Sequence, residues 1–407
     1  MDANSSIQED CMTRSGKWKS RLFRGAAALA ALLIGSTLLS PAPASAWTPI
    51  LPIYIPPIQA TVWANLPTTT QYQASNGYTN NSTGGAVTIR RTGVGAYTVT
   101  LEKAGSTTAS VTHVVAYGSN PVFCTVAASY PLIIIGQTGS NQVIMVRCFD
   151  FKGEPVDSQF VATYTNATYI PRGRLVYLTT DQAVPTEERT LPNTVSYDSA
   201  GSPIKYERIT TGRYKVKFGP NNATGPIVPA MMYHVTAAGS AAVHCQLVEF
   251  VWEVWCSNYN GQLVDSRFSM TWGQVVDIVG NTGRVRFSMS DFESRNIQPD
   301  GSWFGLSTGH FSSDPDYYWN GVDGQVLGTG RYKFTIRRMA TPYGTAFVSP
   351  KTTDVYHRGY CVLVSWMPYG PDEIVWVNCY RYGNFPPTAE SRANLDVDLS
   401  FTTWPAT

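Results

Sequence analysis

The sequence predicts an all-β chain, three tandem antiparallel β-sandwich domains behind a signal peptide, on three observations. The string VRCFDFKGEPVDSQF from Val146 returns as VWCSNYNGQLVDSRF from Val254, and aligning the chain with itself extends this to three copies of about 110 residues. Around each copy's invariant tyrosine, apolar residues alternate with polar ones, the period of a strand with one buried face. Each copy also carries one pair of cysteines, which suits small modules stapled outside the cytosol.

The N-terminus is read as an export signal. KWKSRLFRG (Lys17 to Gly25) is basic, AAALAALLIGSTLLS (Ala26 to Ser40) is apolar, and PAPASA ends at Ala46 with the small residues of a cleavage site. The apolar run is shorter than the ~20 residues of a spanning helix, so no membrane insertion is expected after cleavage. Residues 1–46 hold five Lys/Arg and three Asp/Glu, which is the whole formal charge of +2, leaving the remainder neutral. A neutral chain without basic runs has little attraction for nucleic acid, so no nucleic-acid partner is expected. The resulting plan is signal peptide 1–46, Pro-rich linker 47–59, copy one 60–170, copy two 171–280 and a divergent copy three 281–407.

Each copy opens on a strand, with TVWANLP from Thr61, RLVYLTT from Arg174 and RVRFSMS from Arg284. Turns are read at NSTGG (Asn81 to Gly85), DSAGS (Asp198 to Ser202) and NGVDG (Asn320 to Gly324). An anchor strand follows: GVGAYTVTL from Gly93, TTGRYKVKF from Thr210 and GTGRYKFTI from Gly328, with Tyr97, Tyr214 and Tyr332 in register. The glycine two residues before each tyrosine permits a tight turn. A second strand reads THVVAYG (Thr112 to Gly118) and YHVTAAG (Tyr233 to Gly239), a pattern lost in copy three.

The cysteines come next. CQLVEFVWEVWC (Cys245 to Cys256) has room only for two strands and a tight turn, so its cysteines should face each other across a hairpin. The same reading pairs Cys124 with Cys148 and Cys361 with Cys379, and each bridge should contribute about 3 kcal/mol in the chain-entropy model. Zinc is the competing use, but no CxxC or HxH spacing occurs, so no metal or cofactor is expected. After the hairpin come an aromatic (Phe151, Tyr259 or Tyr382), a turn glycine (Gly153, Gly261 or Gly383) and a closing strand that begins at VDSQF or VDSRF. In copy three, Glu390 and Ser391 are expected to replace its Asp and Ser. No amphipathic helix is evident.

The succession G-x-Y-x-V-x-F, V-x-A-x-G, C-x-V, V-x-V-x-C and V-D-S-x-F, with A-x-V-W-A-N at Ala60 to Asn65, resembles tandem disulfide-containing β-modules of uncharacterised secreted proteins from actinobacteria and myxobacteria. The resemblance covers most of copies one and two and part of copy three. It implies export and a bacterial source, and brings no catalytic residues with it.

Chemistry is sparse. His113 with Asp157 and Ser158, and His234 with Asp265 and Ser266, could be taken as repeated His–Asp–Ser sets. Neighbours on a strand point to opposite faces, copy three has no matching histidine, and no G-x-S-x-G elbow exists, so no catalytic residue is expected. His244, His310 and His357 have no partner spacing that implies a metal or a base. The segment from Asn296 to Gly324 departs from the repeat, and concentrates Trp303, Phe304, Tyr317, Tyr318 and Trp319 with Asp314, Asp316 and Asp323. Aromatic faces and carboxylates together suit a sugar ring, so Trp303, Asp316, Tyr317, Tyr318 and Trp319 form a candidate glycan site; the competing reading is that these aromatics cap the open end of the sandwich or pack on copy two. The function expected is a secreted, non-catalytic extracellular or cell-surface β-repeat protein, adhesive or glycan-binding, with an extracellular glycan or cell-envelope polymer as the candidate partner. The alternative is a secreted polysaccharide hydrolase with its cleft in copy three.

Overall fold

A computed structural model describes residues 57–74, 77–133, 139–166, 173–219, 231–248, 251–274, 276–279, 286–290, 310–312, 322–352, 358–382 and 392–404. Copy one supplies β1 (Ile58–Ala64), β2 (Gln71–Gln73), β3 (Asn80–Asn81), β4 (Val87–Gly93), β5 (Ala96–Leu101), β6 (Val111–Tyr117), β7 (Val122–Ile133), β8 (Ser140–Asp150) and β9 (Gln159–Asn166). Copy two supplies β10 (Arg174–Thr179), β11 (Arg189–Thr190), β12 (Ser196–Asp198), β13 (Ile204–Thr210), β14 (Arg213–Phe218), β15 (Met231–Ala238), β16 (Val243–Val248), β17 (Glu253–Asn258) and β18 (Arg267–Gln274). Copy three supplies β19 (Arg286–Ser290), β20 (His310–Ser312), β21 (Val322–Gly328), β22 (Arg331–Ile336), β23 (Gly344–Thr352), β24 (Gly359–Tyr369), β25 (Asp372–Arg381) and β26 (Asp396–Thr403). Apart from a 3-10 turn at Val251, the regular structure among the described residues is β, as expected. The first strand begins at Ile58, inside the segment read as linker.

The strands make three sheets, and each sheet is shared by two copies. Their orders are β21-β22-β25-β24-β6-β9-β1-β3, β12-β10-β18-β15-β7-β8-β5-β4-β2 and β11-β13-β14-β17-β16-β23-β26-β19-β20. Every copy thus puts its opening and closing strands in one sheet and its cysteine hairpin in another. Copy one's hairpin joins copy two, copy two's joins copy three, and copy three's returns to copy one. The three seams are short parallel pairings, Ala238↔Val126, Leu247↔Lys351 with Val248↔Thr352, and Leu363↔Tyr117. In each seam the hairpin partner nearest its disulfide lies two residues beyond the first cysteine, so the closure is cyclic and pseudo-threefold. A string of independent modules would leave six sheet edges at these places; cyclic pairing covers them.

The anchor strands behave as their alternation requires: Tyr97, Val99 and Leu101, Tyr214, Val216 and Phe218, and Tyr332, Phe334 and Ile336 are all buried. The preceding glycines, Gly95, Gly212 and Gly330, have φ of 62°, 68° and 61°. A Cβ there would lie 2.5, 2.7 and 2.5 Å from the carbonyl oxygen of the second cysteine, so position and conformation both demand glycine. Copy three keeps the second strand as β23, although GTAFVSPKT has lost the pattern seen in copies one and two. NGVDG is not a turn throughout, since Val322, Asp323 and Gly324 lie in β21 and pair with β22.

The cysteines stand directly opposite one another, Cys124↔Cys148, Cys245↔Cys256 and Cys361↔Cys379, and each pair is bridged. Around the pseudo-axis the residue before each first cysteine forms a ring cluster, Phe123, His244 and Tyr360, with centroids 5.3–6.4 Å apart. A second cluster joins His113, His234 and Phe347 at 5.0–6.5 Å. Beside Phe123 and His244 the space left is about 10 Å³, no more than one water.

Candidate functional site

The repeated VDS string builds a buckle rather than a triad. Asp157 accepts from Arg91 Nε (2.9 Å) and Nη2 (2.8 Å), from the Gly95 amide (2.9 Å) and from the Tyr97 hydroxyl (3.1 Å), while the Ser158 amide donates to that hydroxyl at 3.0 Å. Asp265 repeats this with Arg208 (2.7 and 2.8 Å), Gly212 (2.9 Å) and Tyr214 (3.3 Å), and Ser266 with Tyr214 (2.9 Å). The arginine holds each aspartate below its usual carboxylate range. Four donors thus converge on each carboxylate, three of them on Oδ1, and none is a histidine.

In copy three the expectation for Glu390 and Ser391 is corrected. Those two residues lie outside the described ones, and the buckle is made by Asn394 and Leu395: Gly330 N donates to Asn394 Oδ1 at 2.8 Å, and Leu395 N to the Tyr332 hydroxyl at 2.9 Å. The change is chemically consistent. Arg91 and Arg208 pair with Tyr97 and Tyr214 across the sheet, whereas Val326 pairs with Tyr332. Without the cation the acceptor is a neutral amide.

The histidines sit elsewhere, at the boundaries between copies. His113 Nδ1 is 3.0 Å from Thr236 Oγ1 and Nε2 is 2.7 Å from Thr271 Oγ1, both in copy two. His234 repeats the arrangement on copy three, with Ser349 Oγ at 3.0 Å and Ser400 Oγ at 2.6 Å. Phe347 completes the ring, and here the matching position of copy one is Val115, in the same apolar cluster. Imidazole goes with hydroxyl and phenyl with isopropyl. His244 Nδ1 lies 2.8 Å from the Tyr382 hydroxyl. Burial pushes His113 and His244 down to about 3, so these rings are neutral structural pieces and not bases.

The aromatic after each hairpin also crosses between copies. A Cβ on Gly153 would lie 2.5 Å from the Tyr259 ring, and one on Gly261 would lie 2.9 Å from Cβ of Tyr382. The repeated aromatic and glycine are therefore lock and socket of successive copies. Nothing in one copy's sequence signals this, because the partners come from the neighbouring copy's matching string.

Glu373, in copy three, has the raised carboxyl that a polysaccharide hydrolase would use as an acid. Burial lifts it to about 7. It is fully buried, though, and its Oε2 accepts from the Thr341 amide at 3.2 Å. Among the described residues there is no group of three or more His, Cys, Asp or Glu that could hold a metal, and no helix long and apolar enough to cross a membrane. Trp303, Asp316, Tyr317, Tyr318 and Trp319 lie outside the described residues, so the candidate glycan site receives no geometry.

Two open concavities are lined by described residues. One, about 710 Å³, lies on the outer side of copy two against Trp252, Phe218 and Lys205, Lys215 and Lys217. Lys205 and Lys217 are already paired with Glu188. The other, about 470 Å³, is a groove at the seam of copies one and two, lined by Ser and Thr hydroxyls with Val126, Val195 and Ala238, and with Asp181 and Arg267 among its lining residues. Asp181 is taken by Tyr206 and Arg189. Neither groove was visible in the sequence. Each is assembled from residues dozens of positions apart.

No protein family, no curated protein and no solved structure matches the chain.

Proposed function

We propose that the chain is an exported, non-catalytic protein of the extracellular space or cell surface. In this reading each copy is a β-sandwich, with the boundaries 60–170, 171–280 and 281–407, and the three are locked into one body. The observation that carries it is the fate of the polar motifs. Every repeated Asp and His that could have served chemistry is spent on holding strands or copies together, the Ser158 and Ser266 hydroxyls turn to the carbonyl of the next residue, and the titratable rings on the pseudo-axis are buried and neutral. Three bridged hairpins support an oxidising compartment, and so does the leader-like N-terminus. The resemblance to secreted bacterial modules points the same way.

The partner we assign is a glycan or cell-envelope polymer, engaged through the aromatic segment of copy three. Its support is compositional: Trp303, Asp316, Tyr317, Tyr318 and Trp319 interrupt a repeat that needs none of them. The test is retention of the chain from Trp47 onward on polysaccharides and cell-envelope fractions, together with Trp319→Ala. That substitution should cost about 1–3 kcal/mol of binding and leave the melting temperature unchanged. Retention on no polymer would remove the binding half of the proposal. A large loss of stability without a binding defect would mark Trp319 as packing.

A further inference from the structure

The three seams can be superimposed residue by residue. The parallel pairs Leu363↔Tyr117 and Ala238↔Val126 put Ala238 at the place of Tyr117. One step along, both hairpins carry a bulge, Leu363/Ser365 and Val126/Ala128, which puts Ser129 at the place of Trp366. Trp63 pairs with Val161 and Thr179 with Ser269, each the residue after the buried Phe160 or Phe268, so Thr179 stands for Trp63. Tyr78 and Val195 each lie three residues before the matched Asn81 and Asp198, which pair with Ala60 and Val176 of the opening strands.

The two seams are filled in opposite ways. Between copies three and one, the rings of Trp63, Tyr78, Tyr117 and Trp366 pack together with centroids 5.2–5.7 Å apart. Between copies one and two, the four matching residues Thr179, Val195, Ala238 and Ser129 all line the open groove of about 470 Å³. At the remaining seam Lys351 and Asp398 hold the positions of Tyr117 and Val161, both buried. The frame is common to all three seams; where all four positions are described, one seam is filled by rings and this one is open.

We infer that this groove binds a flat ring carrying a hydrogen-bonding group, of the phenol or indole class, in the space that four rings fill at the matching seam. Small apolar side chains, Val126, Val195 and Ala238, offer faces to the ring. The floor is polar: Thr112 Oγ1 and Ser129 Oγ are 2.8 Å apart, Gln142 Nε2 donates to Ser129 at 2.9 Å, and Thr179 Oγ1 and Ser269 Oγ are 2.9 Å apart. A hydroxyl has one donor and two acceptor positions, so these pairs keep capacity for a phenolic O–H or an indole N–H. The volume falls within the roughly 300–1,000 Å³ of small-molecule sites. The inference rests on the sheet geometry and is independent of the glycan assignment.

The test uses the full chain with labelled Val and Ala methyl groups, and indole and p-cresol as probes. Both should shift the methyl resonances of Val126, Val195 and Ala238 saturably, while methyl glucoside should not. Ser129→Trp rebuilds one ring of the matching seam and should weaken both probes by at least about tenfold, a difference of about 1.4 kcal/mol. Ala238→Tyr rebuilds another, and serves if the first variant does not fold. Absence of saturable shifts, affinity unchanged in the folded variant, or binding of the glucoside without the rings would each overturn the inference.

Discussion

His234 Nε2 lies 2.6 Å from Ser400 Oγ across the boundary between copies two and three, and His113 makes the corresponding contact with Thr271 one boundary earlier. Burial lowers both histidines, and the nearby His113 lowers His234 further. The folded chain keeps these rings and His244 neutral while the unfolded chain takes up protons. The histidines' contribution is therefore complete above about pH 6.5 and falls below it, by about 1.4 kcal/mol per pH unit for each ring and about 4 for three. Glu373 titrates in the opposite sense in the same window, so urea melts between pH 7.5 and 5 should show this slope in the Glu373→Gln background and a slope one proton shallower in the parent. His113→Phe with Thr236→Val copies the Phe347 and Val115 arrangement, and should make the slope shallower by about one proton's share.

The buckle predicts a coupling. Arg208→Val leaves Asp265 without its cation, and Asp265→Asn leaves Arg208 without its anion, so each should lower the melting temperature. Together they recreate Val326 with Asn394, and the double variant should melt closer to the parent than either single one. Additive losses in a double-mutant cycle would show that the two positions are independent.

Glu373 titrates in the opposite sense to the histidines. Its folded pKa, about 7, is above the unfolded value, so its contribution is fully present below about pH 4.5 and is lost as pH rises through 7. Glu373→Gln should match the parent at pH 4.5 and exceed it by about 3 kcal/mol at pH 8. Paired chemical denaturation curves at the two pH values measure the difference, and equal stability at pH 8 would contradict it.

What the sequence disclosed and what it hid follow from range. The anchor strands, the closing strands and the cysteine partners were legible because alternation and hairpin length are local. The cyclic sharing of sheets was not, since seams such as Ala238↔Val126 rest on one or two residue pairs joined across more than a hundred positions. Register misled the reading of copy three: Glu390 and Ser391 resemble the Asp-Ser pair, but the Tyr332 hydroxyl selects Leu395 N and thereby Asn394. The groove at the first seam escaped notice because its signal is the absence of four aromatic side chains, which shows only once the copies are overlaid in space.

The lock between copies gives the last prediction, and two glycines separate its causes. Gly201 and Gly153 have φ of 73° and 78°, so alanine is strained equally at both. Nothing lies within 4 Å of a Cβ on Gly201, whereas one on Gly153 meets the Tyr259 ring at 2.5 Å. Gly201→Ala should cost about 1–2 kcal/mol, the left-handed penalty alone. Gly153→Ala should cost about 1–3 kcal/mol more, the usual range for overpacking. Adding Tyr259→Ala to Gly153→Ala removes the clash, so the two losses should sum to less than their separate values. Equal losses for the two glycines, or strict additivity with Tyr259→Ala, would mean that Tyr259 does not lock copy two onto copy one.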